Sequence, residues 1–210
     1  AAFARAAADI AAGIVKGRAF DLVHAHDWQA AMAPAYLRFA LPEGGRRVPS
    51  VMTIHNMAFQ GHFPAALFAG LGLPARAWAI DGVEYHGGVG FLKAGLEAAS
   101  AITTVSPTYA REIRTAEFGM GLEGLIQNRG ERVFGIVNGI DAAQWNPQAD
   151  SALAARFSVR TLARREANKR AMEEAFALET GDGPLFVVIS RLTWQKGMDV
   201  LLETLDQLVA

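Results

Sequence analysis

Short apolar runs alternate along the chain with segments whose apolar residues recur every three or four positions. Four runs have the length and composition of short buried strands, at residues 22–25, 50–55, 101–105 and 133–137. Three segments have helical spacing, at residues 28–40, 91–99 and 107–114. Pro107 suits the first turn of the last of these. Alternating strands and helices predict an α/β fold, a parallel sheet with helices on both faces.

The last part of the chain repeats this pattern. The apolar run at residues 185–189 predicts another buried parallel strand, residues 162–178 predict a long helix, and helical spacing returns from Met198 onwards. Arg191 and Lys196 then lie on a strand-to-helix loop, where α/β proteins bind ligands, and the start of a helix favours an anion. This predicts a phosphate site, although two solvated surface cations would fit the spacing equally well.

Polar residues follow each predicted strand. Because right-handed crossovers place these loops along one edge of a parallel sheet, the side chains should collect on one rim. They are His26 and Asp27, His55 and Asn56, Ser106, and Asn138 and Gly139. Asp27 is expected to cap a helix and equally to bind sugar hydroxyls. His55 either binds a hydroxyl or a developing charge, or is a turn histidine satisfied by the backbone.

The segment at residues 138–150 interrupts the alternation with Asn-Gly, Asn-Pro and scattered polar residues, as a linker does. We therefore place a domain boundary near Asn138, which gives domains at residues 1–137 and 138–210. The chain opens inside an Ala-rich helical pattern and stops inside an apolar helical one. We expect it to be an internal piece of a longer protein.

Composition narrows the classes of partner. With 51% hydrophobic and 20% charged residues, the chain can bury a core and is not disordered. The net charge of −1 provides no overall basic field that would attract nucleic acid, so nucleic acid is not an expected partner. No apolar stretch is long enough to cross a bilayer, so a membrane is not expected either. The absence of cysteine excludes disulfides and thiolate zinc sites and fits a reducing compartment.

Other chemistries fit less well. His24, His26 and Asp27 could bind zinc or iron, but no further ligand follows at a metal-typical spacing and His24 should point into a packed sheet, so no metal is predicted. Residues 119–124 match G-x-G-x-x-G without a preceding strand, so we reject a dinucleotide site.

Hydrolase chemistry is not favoured either. The candidate glycosidase carboxylates have no spacing that pairs them, namely Asp27, Glu84 and Asp141. No G-x-S-x-G nucleophile elbow is present. Four glycines between Gly82 and Gly90 suggest backbone close to a ligand or a mobile loop.

Six segments in this order resemble the family of bacterial glycogen synthases and plant starch synthases. They are residues 24–28 (HAHDW), 53–56 with 59–61, 91–95 (FLKAG), 104–110 (TVSPTYA), 138–141 with 145–147, and 190–192 with 195–197. Together they span nearly the whole chain. Gly90 departs from the family pattern, which more often has Ser or Asn there.

The resemblance implies a retaining glycosyltransferase of the GT-B architecture, in which two Rossmann-like domains face each other across a cleft. Residues 1–137 would form most of the amino-terminal, acceptor-side lobe, and residues 138–210 the hinge and the beginning of the nucleotide-sugar lobe. The donor would be ADP-glucose, and the non-reducing end of an α-1,4-glucan would gain one glucose. No cofactor or metal ion would be required.

The resemblance also assigns roles to individual residues. Arg191 and Lys196 would hold the donor diphosphate and neutralise the leaving ADP. His55 would contact the transferred glucose, with its backbone carbonyl near the anomeric carbon, and Asp27 would order sugar hydroxyls. Asn138 would lie at the hinge beside the donor. Three more residues would bind substrate: Asn56, Gln60 and Gly139.

Several alternatives stay open. A GT-B transferase that uses UDP-glucose, such as a sucrose or sugar-phosphate synthase, is the nearest, followed by an inactive glucan-binding relative and then by a metal-dependent hydrolase. The family's Lys-Thr-Gly-Gly-Leu donor loop and its Glu-bearing ribose segment are not among these residues. We therefore expect the 210 residues alone to be inactive. The resemblance places the protein in the cytoplasm of a bacterium, or in a plastid for a plant protein.

Overall fold

The structure, a computed structural model, describes residues 1–15, 18 and 20–209, so the last residue of the predicted 138–210 domain lies outside it. The chain forms two compact units, Ala1–Gly139 and Ile140–Ala210. No helix in the described part of the chain combines the length and the apolar character that crossing a membrane requires.

The first unit contains seven strands and seven α-helices among its described residues. The strands are β1 (Val23–His26), β2 (Ser50–Ile54), β3 (His62–Pro64), β4 (Glu84–Tyr85), β5 (Gly88–Gly90), β6 (Ala101–Thr104) and β7 (Val133–Gly135). The helices are α1 (Ala2–Ala11), α2 (Asp27–Ala30), α3 (Met32–Phe39), α4 (Phe91–Ala98), α5 (Pro107–Glu112), α6 (Ala116–Gly119) and α7 (Glu123–Asn128). Short 3₁₀ helices occupy Ala65–Leu71, Ala75–Ala77 and Gly130–Arg132.

The main sheet is parallel and has the strand order β1-β2-β6-β7. Its register aligns one row of apolar residues, Ala25, Met52, Ile102 and Val133, across all four strands, and each of them is buried. Leu92 and Leu96 of α4 belong to the same buried cluster. The four predicted strands and the predicted parallel Rossmann-like sheet are thus confirmed, and the helix predicted at residues 28–40 is divided at Ala31 into α2 and α3.

The opposite face of this sheet is exposed at its two edge strands, β1 and β7. His24, His26 and Phe134 lie on this face and are exposed. The prediction that His24 points into a packed sheet is therefore wrong. Strand alternation explains the result, because Ala25 takes the buried face and its two neighbours must take the other.

The glycine-rich segment 82–90 contains a hairpin. Strands β4 and β5 pair antiparallel through a tight turn in which His86 and Gly87 have φ angles of 47° and 72°. A Cβ on Gly82 would lie 2.1 Å from the Ala77 carbonyl oxygen, and one on Gly88 would lie 2.6 Å from that of Phe63. These glycines are needed for close backbone packing.

Helix α4 also packs closely against α2 and α3, and a matched pair of glycines tests that contact. An added Cβ on Gly95 would lie 2.7 Å from the carbonyl oxygen of Ala31, whereas one on Gly124 in α7 would meet nothing within 4 Å. We expect Gly95→Ala to lower the free energy of unfolding by about 1–3 kcal/mol through overpacking. Gly124→Ala should raise it by about 0.5–1 kcal/mol through helix propensity. Urea unfolding of the intact protein checks both, and equal shifts in one direction would contradict the packing argument.

The second unit contains helices and no strand among its described residues. A 3₁₀ helix at Val159–Arg164 leads into α8 (Arg165–Ala175), and together they replace the single helix predicted at residues 162–178. A 3₁₀ turn at Trp194–Lys196 precedes α9 (Met198–Val209), which confirms the predicted final helix.

The strand predicted at residues 185–189 is not formed, and this prediction is wrong. Phe186 is 60% exposed and Ile189 is 93% exposed. A β-strand needs a neighbouring strand for its N–H and C=O groups, and the described residues from 140 to 209 contain none.

Candidate functional site

The rim of the parallel sheet brings together three of the polar residues that follow its strands. His26 ends β1, Asp27 begins α2, and His55 directly follows β2. Because β1 and β2 are adjacent and parallel, these residues meet at the carboxyl edge of the sheet. Ser106 lies at the same edge, but its side chain caps α5: its Oγ accepts a hydrogen bond from the Tyr109 N–H at 2.8 Å.

Asp27 binds the backbone of His55 and does not cap a helix. The N-cap position of α2 is His26, and Asp27 is the first helical residue, with φ at 53° in the left-handed region. Its Oδ1 accepts a hydrogen bond from the His55 N–H at 2.8 Å. The predicted capping role is therefore wrong. A left-handed non-glycine residue is uncommon and costs free energy, and such residues concentrate at functional sites.

A cluster of three imidazoles lies beside this contact. The His26 Nδ1 and the His55 Nε2 are 3.0 Å apart, and the ring of His24 stacks on that of His26 with a centroid separation of 4.2 Å. The His24 Nε2 lies 2.6 Å from the Oγ1 of Thr53, which is itself 2.6 Å from the Oγ1 of Thr103. The sequence placed His26 at the rim and offered it as a possible metal ligand, but predicted no catalytic or substrate-binding role for it.

The pKa of His24 lies below its ordinary value of 6.5, chiefly because desolvation penalises the charged form and secondly because His26 and His55 repel it. As the pH falls below 6.5, His24 becomes protonated in the unfolded chain before it does in the folded protein. The free energy of unfolding should therefore fall. His24→Gln should make this loss shallower. Melting temperatures of the intact protein at about pH 7.5 and about pH 5.5 measure the difference. An equal fall for both proteins would contradict the assignment.

Two predicted substrate-binding residues hold the loop after β2. The Asn56 Oδ1 accepts a hydrogen bond from the Ala58 N–H at 2.9 Å, and the Gln60 Nε2 donates one to the carbonyl oxygen of Met120, also at 2.9 Å. The hydroxyl oxygen of Tyr109 accepts from the Met57 N–H at 2.9 Å, and burial raises the pKa of Tyr109. The loop that carries His55 is thus tied to α5 and to the turn between α6 and α7.

The remaining predicted site residues lie elsewhere along the chain. Asn138 and Gly139 are exposed at the end of the first unit. Arg191 and Lys196 are exposed in the second unit, and Lys196 ends the 3₁₀ turn that leads into α9. Gly197 takes a φ of 66° between that turn and the helix, a conformation that glycine adopts without strain.

The competing chemistries gain no support from the geometry. Within the described ranges, no group of three or more His, Asp or Glu side chains is arranged to hold a metal ion. The Glu84 Oε1 accepts from the Gly87 N–H, and the Asp141 Oδ1 accepts from the Ala143 and Gln144 N–H groups, so each carboxylate serves its own turn. Residues 119–124 connect α6 to α7, which agrees with the rejection of a dinucleotide motif.

The sequence of the chain matches one protein family and curated relatives that carry the same name. The family described as the starch synthase catalytic domain matches residues 1–128. The chain is 80% identical over 209 residues to a glycogen synthase of Novosphingobium aromaticivorans and 58% identical over 210 residues to one of Mesorhizobium japonicum. Each alignment covers 100% of this chain and 43% of the relative, so the chain spans less than half the length of these proteins.

A solved structure matches as well. It is the catalytic domain of starch synthase IV from Arabidopsis thaliana bound to ADP and acarbose. The match has a TM-score of 0.85 and 32% sequence identity, and it covers 98% of this chain and 43% of that one.

Proposed function

Because the chain belongs to the family of glycogen and starch synthase catalytic domains, we propose that the protein carrying it is a retaining glucosyltransferase. It transfers glucose from ADP-glucose to the non-reducing end of an α-1,4-glucan. The identity of 80% over 209 residues to a glycogen synthase is the observation that carries this proposal. The ADP and acarbose bound to the Arabidopsis starch synthase favour an adenine nucleotide donor and a glucan acceptor.

The donor diphosphate is assigned to Arg191 and Lys196. Both cations are exposed in the segment that leads into α9, and the positive end of a helix dipole favours a phosphate nearby. A guanidinium can grip two phosphate oxygens at once, while the ammonium acts as a point charge. Negative charge grows on the phosphate as the glycosidic bond breaks, so both groups stabilise the transition state more than the bound substrate.

The transferred glucose is assigned to the rim of the first unit. His55 contacts the sugar. Asp27 holds the His55 backbone and orders the hydroxyls of the glucose. Asn56 and Gln60 shape the loop after β2, while Asn138 and Gly139 lie beside the donor. In front-face transfer, the acceptor oxygen bonds to the anomeric carbon as the bond to phosphate breaks. The leaving phosphate takes the acceptor proton, so a pair of catalytic carboxylates is not needed.

The test is glucose incorporation into glycogen by the intact protein with ADP-glucose or UDP-glucose as donor. We expect transfer mainly from ADP-glucose, into α-1,4 linkages. A preference for UDP-glucose would replace this proposal with the sucrose or sugar-phosphate synthase alternative. Glycogen binding without transfer from either donor would identify an inactive glucan-binding relative.

Both relatives named above are bacterial, and on that ground we place the protein in the bacterial cytoplasm and not in a plastid. The near-neutral charge of the chain favours a small-molecule donor and a glucan over nucleic acid as partners.

A further inference from the structure

Two separate contacts hold His55, one on its backbone and one on its ring. Asp27 accepts the hydrogen bond of the His55 N–H at 2.8 Å, and His26 reaches the ring, with its Nδ1 3.0 Å from the His55 Nε2. The His55 ring is exposed, so packing alone does not fix its orientation. Within the described part of the molecule, the contact with His26 is the only hydrogen bond of the His55 side chain.

A hydrogen bond between two imidazole nitrogens requires a proton on one nitrogen and a lone pair on the other. Which nitrogen carries the proton in one ring therefore depends on which nitrogen carries it in the other. When the His55 Nε2 accepts, the proton of neutral His55 must lie on Nδ1. The ring then offers a donor on the side turned away from His26.

We propose that His26 is a positioning residue for glucose transfer, whose Nδ1–H donates to the His55 Nε2 and so fixes both the ring orientation and the tautomer of His55. The resulting His55 Nδ1–H is the group that donates to a hydroxyl oxygen of the transferred glucose. This proposal rests on the proposed function, because it gives His55 a sugar to contact.

The surroundings of His26 fit this role. His24 stacks on its ring at 4.2 Å, which limits how far the His26 ring can turn away from His55. His24 is in turn held by the Oγ1 of Thr53 on the adjacent strand. The orientation of the His55 ring is thus connected to the parallel sheet through a series of stacked and hydrogen-bonded side chains.

Three variants of the intact protein test the role. His26→Ala removes the donor, and it should lower kcat by roughly tenfold to a hundredfold with little change in KM for ADP-glucose, because misorientation of a positioned group has effects of this size. His26→Asn places an amide N–H near the position of the imidazole Nδ1–H and should restore most of the activity. His86→Asn, an exposed histidine on the hairpin turn, is the matched control and should retain full activity.

A second readout does not depend on activity. Nitrogen–proton NMR correlations of isotope-labelled histidine report which ring nitrogen carries the proton. We expect neutral His55 to hold its proton on Nδ1 in the unaltered protein and in His26→Asn, and to shift towards Nε2 in His26→Ala. A His55 proton on Nε2 in the unaltered protein, or the same tautomer in all variants, would overturn the role of His26.

The two proposals fail in distinguishable ways. If the unaltered protein transfers no glucose from ADP-glucose, the proposed function is wrong and the role of His26 fails with it. If the unaltered protein transfers glucose and His26→Ala retains its kcat within about twofold, only the role of His26 is wrong.

Discussion

Replacing Arg191 with alanine in the intact protein should lower kcat/KM for ADP-glucose by roughly a hundredfold to a thousandfold. The guanidinium is assigned to the diphosphate, where negative charge grows as the glycosidic bond breaks. Its removal should therefore raise the transition state more than the bound substrate, and kcat should fall. Lys196→Ala should have an effect of the same order. Steady-state rates of glucose incorporation into glycogen measure both.

Two further variants separate the diphosphate role from a general loss of positive charge. Arg191→Lys keeps the charge but loses the planar fork, so it should recover part of the activity. Arg160→Ala removes another exposed arginine of the same unit and should change kcat/KM by less than about twofold. Activities of Arg191→Ala and Lys196→Ala near that of Arg160→Ala would remove both residues from the donor site.

The second large effect is expected at Asp27. Asp27→Ala removes the acceptor of the His55 N–H and should lower kcat by about a hundredfold, since a shift of about 1 Å in a positioned group has effects of this size. Asp27→Ala also places alanine in a left-handed backbone conformation, which alanine tolerates less well than aspartate does. The measurement is again glucose transfer from ADP-glucose, together with the melting temperature of each variant.

Asp27→Asn is the matched control for the backbone contact. Asparagine tolerates the left-handed conformation and retains a carbonyl oxygen that can accept from the His55 N–H. If Asp27 acts only by holding His55, Asp27→Asn should keep most of the activity. A loss as large as that of Asp27→Ala would show instead that the negative charge itself acts on the sugar.

The parallel sheet was predictable because its strands have a strong local signature. Each of the four apolar runs is short and ends at a polar residue, and each strand begins and ends within two residues of the prediction. The apolar run at residues 185–189 has a similar length but forms no strand, and residues 186–189 are exposed. Whether such a run becomes a strand depends on a partner strand elsewhere in the chain, which local composition does not determine.

The glycine-rich segment shows a similar limit. The sequence predicted backbone close to a ligand or a mobile loop, and the structure shows glycines that pack against other backbone groups. Gly82 lies against the carbonyl group of Ala77, and Gly88 lies against that of Phe63. Only the tertiary packing distinguishes a glycine required by a neighbouring backbone from one required by a ligand.

The candidate site was predictable as a set of residues but not in its contacts. Strand ends predicted that Asp27 and His55 would lie at one rim, and the structure confirms their contact. The left-handed backbone of Asp27 had no signal in the sequence, because aspartate at the start of a helix normally predicts a cap. The contact of His26 with His55 depends on the register of β1 and β2, which aligns His26 with Thr53.

A crystal structure of the intact protein with ADP would test the central assignment most directly. We predict that the diphosphate oxygens lie about 2.7–3.2 Å from the guanidinium of Arg191 and the Nζ of Lys196. ADP bound elsewhere, or bound with these two side chains directed away from it, would contradict the account.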